Sequence, residues 1–381
     1  MVTSGRNRIV TLQAELARHA FAGALITSPQ NVRFLTGYYT RAFNPFTVAV
    51  IPTRGDPLLI VLRQDESLAA AASEVRVVPH ELRPEGFRVT AAACHSALEE
   101  VASSRGLLGL EFDSMTVDRL RVLEQTLPQC TFADISALAS ELRMIKDANE
   151  QSALRRAGTL ATLGMQRAIE MLRPGVCEAD VEATVCRAAD MEGARLWPDS
   201  VVQISANVLT GPKVGRLHDH ATGRQMAAGE AVFVLASVSW NGYCGGDIAR
   251  TFFLPGASSS QEAKVALDTA SEAQREAIEA LRPGAPLGDA SRAAGRVLAR
   301  SGLSEKLTYR MFRGLGLTNS ERPTALELDL SLRPGMCICV QIYLQVDGFI
   351  AGRTDSVLIT ETGPETLTGM GLPQDLWGPT R

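Results

Sequence analysis

Histidine is scarce in this chain, and its placement narrows the available chemistry. Of five histidines, His218 and His220 flank Asp219 in the segment LHDHATGRQ, and none follows His220. Imidazole titrates near neutral pH and can both take and return a proton, so this segment is the first candidate for acid–base work; a solvated loop histidine is the bland alternative. The other groups with chemistry lie downstream. Asp247 follows Cys244 in NGYCGGDIARTF, and Arg313 stands in FRGLGL. The planar fork of Arg313 suits a carboxylate, which could be Asp247 or a carboxylate of the substrate. Gln341 and Tyr343 are two apart in GMCICVQIYL, which puts them on one side of a strand. Arg353, Thr354 and Asp355 are consecutive, and any of them could face a cleft. Glu321 and Arg322 follow the FRGLGL turn and read as substrate contacts or as a surface pair. Cys244, beside Asp247, is a possible nucleophile.

Several site classes are excluded. The chain has no GxSxG elbow, no P-loop and no strand–GxGxxG–helix signature, and RGLGL lacks the Lys-Ser/Thr ending of a phosphate loop. A net charge of −4 and scattered rather than blocked Lys and Arg argue against a nucleic-acid partner. No apolar run is long enough for a signal peptide or a membrane span. Seven cysteines form an odd number without CxxC spacing, which predicts a reducing, cytoplasmic setting; Cys337 and Cys339 read as small buried hydrophobes.

The elements that must position these groups fall into two stretches. Residues 8–125 alternate helical and strand patterns: RIVTLQAELARHA as an amphipathic helix, AGALITS as a buried strand, NVRFLTGY as a short helix, and FTVAVIP and PLLIVL as strands around a turn. A helix over Thr90–Ser104 and the strand LLGLEFD follow. A long helical run then breaks near Lys146–Asn149. The second stretch repeats itself. Ala168–Gly175 reads AIEMLRPG and Ala277–Gly284 reads AIEALRPG, each a helix stop followed by a second helix and then an apolar strand opened by Gly229 or Gly335. Two such units facing each other make a central cleft. The organisation expected is α/β (α+β), with an N-terminal domain over 1–140 and a second domain of pseudo-two-fold design over 141–381.

In this order the segments resemble the creatinase, prolidase and methionine aminopeptidase superfamily, whose catalytic domain has the "pita-bread" fold. RIVTLQAELARHAFAGALITSPQNVRFLTGY is similar to its N-terminal domain. NGYCGGDIARTF resembles the strand carrying two metal-binding aspartates, FRGLGL its Gly-His-Gly-Ile-Gly-Leu, and GMCICVQIYL and GRTDSVLITETG the segments with two metal-binding glutamates. The resemblance implies five ligand positions, and four of them carry other residues. The first aspartate position falls at Leu235 or Ala236, Asp247 survives, and Arg313, Gln341 and Thr354 occupy the histidine and glutamate positions. Hard carboxylates and an imidazole are what a two-metal hydrolase needs. The expectation is therefore a site with no metal and no cofactor. It also places His218, twelve residues before Glu230, at the family's active-site histidine. A metal-independent, creatinase-like enzyme follows: His218 and Asp247 catalytic, with Arg313, Gln341, Tyr343 and Thr354 holding a small polar, carboxylate-bearing substrate for C–N hydrolysis. Arg41 and Phe43 match the region that such proteins extend into a partner's site, which implies a homodimer. The alternatives are a lyase, cyclase or dehydratase of bacterial specialised metabolism, an inactive binding protein, and a metallo-aminopeptidase or prolidase.

Overall fold

The computed structural model describes residues 4–39, 46–256, 260–308, 311–346 and 348–369. The chain divides into two compact units, Met1–Arg143 and Met144–Arg381. In the first, α1 (Ser4–Arg18), β1 (Gly23–Ile26), α2 (Pro29–Thr36), β2 (Val48–Pro52), β3 (Leu58–Leu62), α3 (Glu66–Ala72), β4 (Arg76–His80), α4 (Phe87–Glu100), β5 (Gly106–Leu110), α5 (Val117–Thr126) and β6 (Cys130–Asp134) follow in turn. The strands form a mixed sheet in the order β4–β3–β2–β1–β5–β6. Every residue of β1, β2 and β3 is buried, which is why these strands read as unbroken apolar runs rather than alternating ones. On one face Leu25, Val50, Ile60 and Leu108 pack against Ala91, Cys94 and Leu98 of α4. The short helix α2 is fixed at both ends. Ser28 caps it by accepting from the Asn31 amide, Pro29 opens it, and Gly37 at φ 80° closes it with an N–H to the Arg33 carbonyl.

Helix α6 (Ser136–Met144) runs across the division, and α7 (Ala148–Met171) starts after a break. Asp147 makes that start sharp through a reciprocal capping box with Glu150. In the second unit α8 (Glu178–Leu196), β7 (Val202–Thr210), β8 (Ala231–Trp240) and β9 (Tyr243–Phe253) complete one half. The repeat expected from sequence then reappears as α9 (Gln261–Ala280) and α10 (Leu287–Arg300), followed by β10 (Phe312–Gly314), β11 (Glu321–Thr324), β12 (Cys337–Val346), β13 (Phe349–Thr360) and β14 (Gly363–Thr366). All join one antiparallel sheet in the order β11–β10–β12–β13–β9–β8–β7, with β14 on β13.

The pleat decides which residues can make a site. Ile338, Val340 and Ile342 pack with Ala266, Ala270 and Ala277 of α9, while Val232, Val234, Ala236 and Val238 pack with Leu160, Val181 and Val185 of α7 and α8. Alternate residues point to the other face, here called the open face, where Gln341, Thr354, Ala249 and Ser356 are nonetheless buried. Two rows result. Arg313 lies across from Cys339, which is paired with Ser356; the Asp247 amide donates to the Ser356 hydroxyl at 3.0 Å, and Asp247 pairs with Ser237. The adjacent row runs Gln341, Thr354, Ala249, Leu235, Asn207.

The extra glycine of GYCGGD is a β-bulge. Val238 pairs with Gly246 and Ser239 with Cys244, so Gly245 is left over. This fixes the register that sequence left open. Asp247 faces the open side, and the first ligand position is Leu235, because Ala236 points into the helix-facing core. Both glycines also admit α7. A Cβ at Gly246 would lie 2.5 Å from the Ala157 carbonyl oxygen, and one at Gly245 would lie 2.5 Å from that of Leu154. Gly246→Ala is expected to destabilise the protein by about 1–3 kcal/mol through overpacking against helix backbone. Gly295→Ala in α10, where a Cβ meets nothing within 4 Å, is expected to stabilise it by about 0.5–1 kcal/mol. Urea unfolding of both variants checks the pair; equal effects would mean that the helix–sheet distance is wrong.

Candidate functional site

On the open face Asp247 is 2% exposed and doubly held. The Ser237 hydroxyl donates to its Oδ1 at 2.5 Å, and Arg313 Nη2 donates to its Oδ2. Between Arg313 and Asp247 stand β12 and β13, about three strand spacings or 14 Å between backbones. Only a side chain of arginine's length spans that gap, passing over the small residues Cys339 and Ser356. Burial would lower the guanidinium's pKa, but the Asp247 carboxylate beside it drives it upward, so Arg313 stays cationic. Its Nη1 donates to the Asn319 carbonyl. In the next row the Tyr343 hydroxyl and Thr354 Oγ1 are 2.7 Å apart, and Gln341 lies directly across from Thr354. Burial pushes the Tyr343 phenol well above its usual value.

Arg313, Asp247, Gln341, Tyr343 and Thr354 thus share one face. His218 does not join them directly; it is exposed on the loop between β7 and β8. That loop is tied down on both sides of the imidazole. Asn207, next to Leu235 on the open face, donates to the Asp219 carbonyl at 2.7 Å and accepts from the Ala221 amide at 3.1 Å. Behind it Glu178 is fully buried and takes the Thr210 amide and hydroxyl, the Thr222 amide and hydroxyl, and Lys213 Nζ at 2.6 Å. Lys213 Nζ also donates to the His220 carbonyl. These anchors were not identified from sequence, since an isolated Asn, Glu or Lys carries no motif.

Several expectations need revision. Arg353 and Asp355 turn to the helix-facing side, because they alternate with Thr354 on β13. Glu321 is buried 3.6 Å from Lys146, and Arg322 bonds Glu327, so each has a protein partner of its own. The Cys244 thiol is pushed up to about 12 by burial and then by Asp247, so it is no thiolate nucleophile. Arg41 and Phe43 lie outside the described residues.

The fold is that of a pita-bread domain preceded by its own N-terminal domain. The model of metallopeptidase family M24 matches residues 152–361, and that of the creatinase/prolidase N-terminal domain matches residues 8–145. The chain belongs to this family. A protein of Bacillus subtilis (strain 168), provisionally named dipeptidase YkvY, is 27% identical over 374 residues, covering 97% of this chain and 99% of the relative. Dipeptidase PepE from Mycobacterium ulcerans is 26% identical, with a TM-score of 0.80, covering 98% and 97% of the two chains. An Xaa-Pro dipeptidase from Bacillus anthracis shares the fold at a TM-score of 0.85 and 21% identity, over 98% and 99%.

These findings overturn the expectation of a metal-independent, creatinase-like enzyme of specialised metabolism. The family is one of metallopeptidases and its neighbours here are dipeptidases, so the peptidase alternative takes the place of that reading. The donor set at the five ligand positions still does not compose a two-ion centre. It offers one carboxylate, one amide and one hydroxyl, together with an aliphatic side chain and a guanidinium that donates into that carboxylate. Among the described residues no three His, Cys, Asp or Glu converge as metal ligands. No helix there is long and apolar enough to cross a membrane.

Two predictions follow from this geometry. Removing one partner of a buried pair costs more than removing both, so Asp247→Asn and Arg313→Gln should each destabilise, with a coupling of about 1–3 kcal/mol in the double mutant. Additive urea-unfolding energies would refute the pair. For the loop, burial alone would raise the Glu178 pKa, but Lys213, Thr210 and Thr222 take it below the usual value. A depressed carboxylate stabilises above its unfolded pKa, about 4.3, and loses that effect as pH falls through the folded value. Protection factors over 213–222, taken relative to the intrinsic exchange rate at each pH, should therefore fall in acid, and at neutral pH in Lys213→Met; flat protection in both would remove Glu178 as the anchor.

Proposed function

We propose that the protein hydrolyses the C–N bond of a small peptide, of dipeptide size, on the open face of the second unit. The observation that carries this reading is the family match over that unit, joined to relatives named as dipeptidases that align over nearly the whole chain. The polar row supports it. Asp247 is fixed in orientation by Ser237 and Arg313. Gln341 offers both a donor and an acceptor for a peptide group, and Arg313 presents positive charge toward a substrate carboxylate. His218, on its tethered loop, gives a proton to the leaving amine and recovers one from water. A homodimer with N-terminal residues near the partner's site belongs to the same proposal.

One observation favours a second reading, a peptide-binding protein without turnover: four of the five ligand positions are substituted. Amine release from a panel of dipeptides, assayed with and without Mn²⁺, Co²⁺ or Zn²⁺, separates the two. Turnover is expected, and His218→Ala should keep its fold while losing about 10²–10⁴-fold in kcat/KM. Saturable dipeptide binding with no product under any condition would replace the enzyme with the binding protein.

A further inference from the structure

Leu235 stands at the first of the five ligand positions, between Asn207 and Ala249 in the second row of the open face. Ala249, Thr354 and Gln341 in that row are buried, whereas Leu235 keeps part of its surface exposed. An incoming molecule therefore meets an aliphatic side chain where a two-ion centre needs a carboxylate. A half-exposed leucine by itself is ordinary, but this one has a second beside it. Leu217, the residue before His218, packs from the loop on the same apolar cluster and is likewise partly exposed. Both are firmly seated. Asn207, directly across from Leu235, ties the loop through Asp219 and Ala221. A Cβ at Gly215 would lie 2.3 Å from the Gly348 carbonyl oxygen, so the loop meets the start of β13 at backbone contact. Within the cluster Phe233 stands edge-on to Tyr343 with ring centroids 5.8 Å apart, over Gly352, where a Cβ would come within 2.7 Å of the Phe233 ring.

Register relates this aliphatic edge to the charge at the centre. Leu235 and Asp247 are diagonal neighbours on β8 and β9, about 7–8 Å apart along the backbone. Arg313 delivers its guanidinium to Asp247. Two residues of extended chain span about 7 Å. A C-terminal carboxylate at Arg313 therefore brings the side chain of the preceding residue to Leu235 and Leu217, next to the exposed His218. We propose, as a refinement that rests on the dipeptide reading above, that the site selects dipeptides with an aliphatic N-terminal residue. Leu235 and Leu217 are the specificity-determining residues, and Leu235 acts from a position where a metal ligand would stand.

Calorimetric titration of the full chain carrying His218→Ala, which blocks turnover, compares L-leucylglycine with L-asparaginylglycine, whose side chains are of similar size, and with glycyl-L-leucine. L-leucylglycine is expected to bind about tenfold more tightly than either, the gain from burying one aliphatic side chain. Leu235→Asn and Leu217→Asn should each cut that ratio to about threefold or less while leaving L-asparaginylglycine within about twofold, whereas a purely structural defect weakens all three peptides alike. Should Leu235→Asn fail to fold, Leu217→Asn, on the loop, decides the matter. Equal affinity of L-leucylglycine with either comparison peptide, or a preference that survives the substitutions, overturns the selectivity and leaves the dipeptide reading standing. Absence of binding by all three peptides overturns both. Selective binding together with no turnover by the unaltered protein upholds the selectivity in a binding protein and removes the enzyme.

Discussion

The two halves of the second unit meet along β9 and β13, and this seam is what the remaining geometry depends on. Register between these strands is recorded at Arg250–Arg353 and Ala249–Thr354. Side chains do much of the joining. Arg250 donates to the Thr354 carbonyl and to Asp355, Thr251 bonds the Ile350 carbonyl and the Gly352 amide, and Ser356 takes the Asp247 amide. Arg313 adds a strap on the open face by reaching from β10 to Asp247. A guanidinium–carboxylate pair therefore lies on each side of the sheet. Losing one partner from either leaves a charge in low dielectric, which costs far more than the pair contributes net. The seam is rigid because its polar groups cannot be left half satisfied.

Arg313 also explains the small residues around it. A long side chain crossing β12 and β13 needs room beneath it, and Cys339 and Ser356 provide that. Asp247 is aimed at the guanidinium only because the bulge at Gly245 rotates the strand, and the bulge is possible because glycine lets α7 approach to backbone contact. The substitutions at the ligand positions are thus not independent losses: arginine, bulge and small residues form one self-consistent arrangement.

Much of this was legible in the sequence, for identifiable reasons. The repeat of LRPG stops, the break near Lys146–Asn149 and the buried strands of the first unit each rest on local signals, and all appear. Strand β4 holds Pro79 and lies at a sheet edge, and β6 lies at the opposite edge with most of its residues partly exposed; neither shows the apolar run by which β2 and β3 were read. Gln341 and Thr354 were singled out because they stand at the glutamate positions the resemblance implies, and Tyr343 because alternation on a strand puts it on the side of Gln341. The same rule, applied strictly, would have sent Arg353 and Asp355 to the other side. What sequence could not supply was register: a one-residue bulge decides whether Leu235 or Ala236 shares the face of Asp247, and no local pattern encodes it.

The anchoring of the histidine loop lies at the other margin of the sheet, on β7 and the start of α8. Glu178, Lys213 and Asn207 hold the segment around His218 without using Asp247, Arg313, Gln341 or Thr354. A change at the centre of the face therefore leaves the position of the imidazole intact. This separation means that the His218 segment is positioned by groups at the sheet margin, while Arg313 and Asp247 are joined across its centre. The chain accordingly keeps the family's frame and fills its centre with a guanidinium–carboxylate pair.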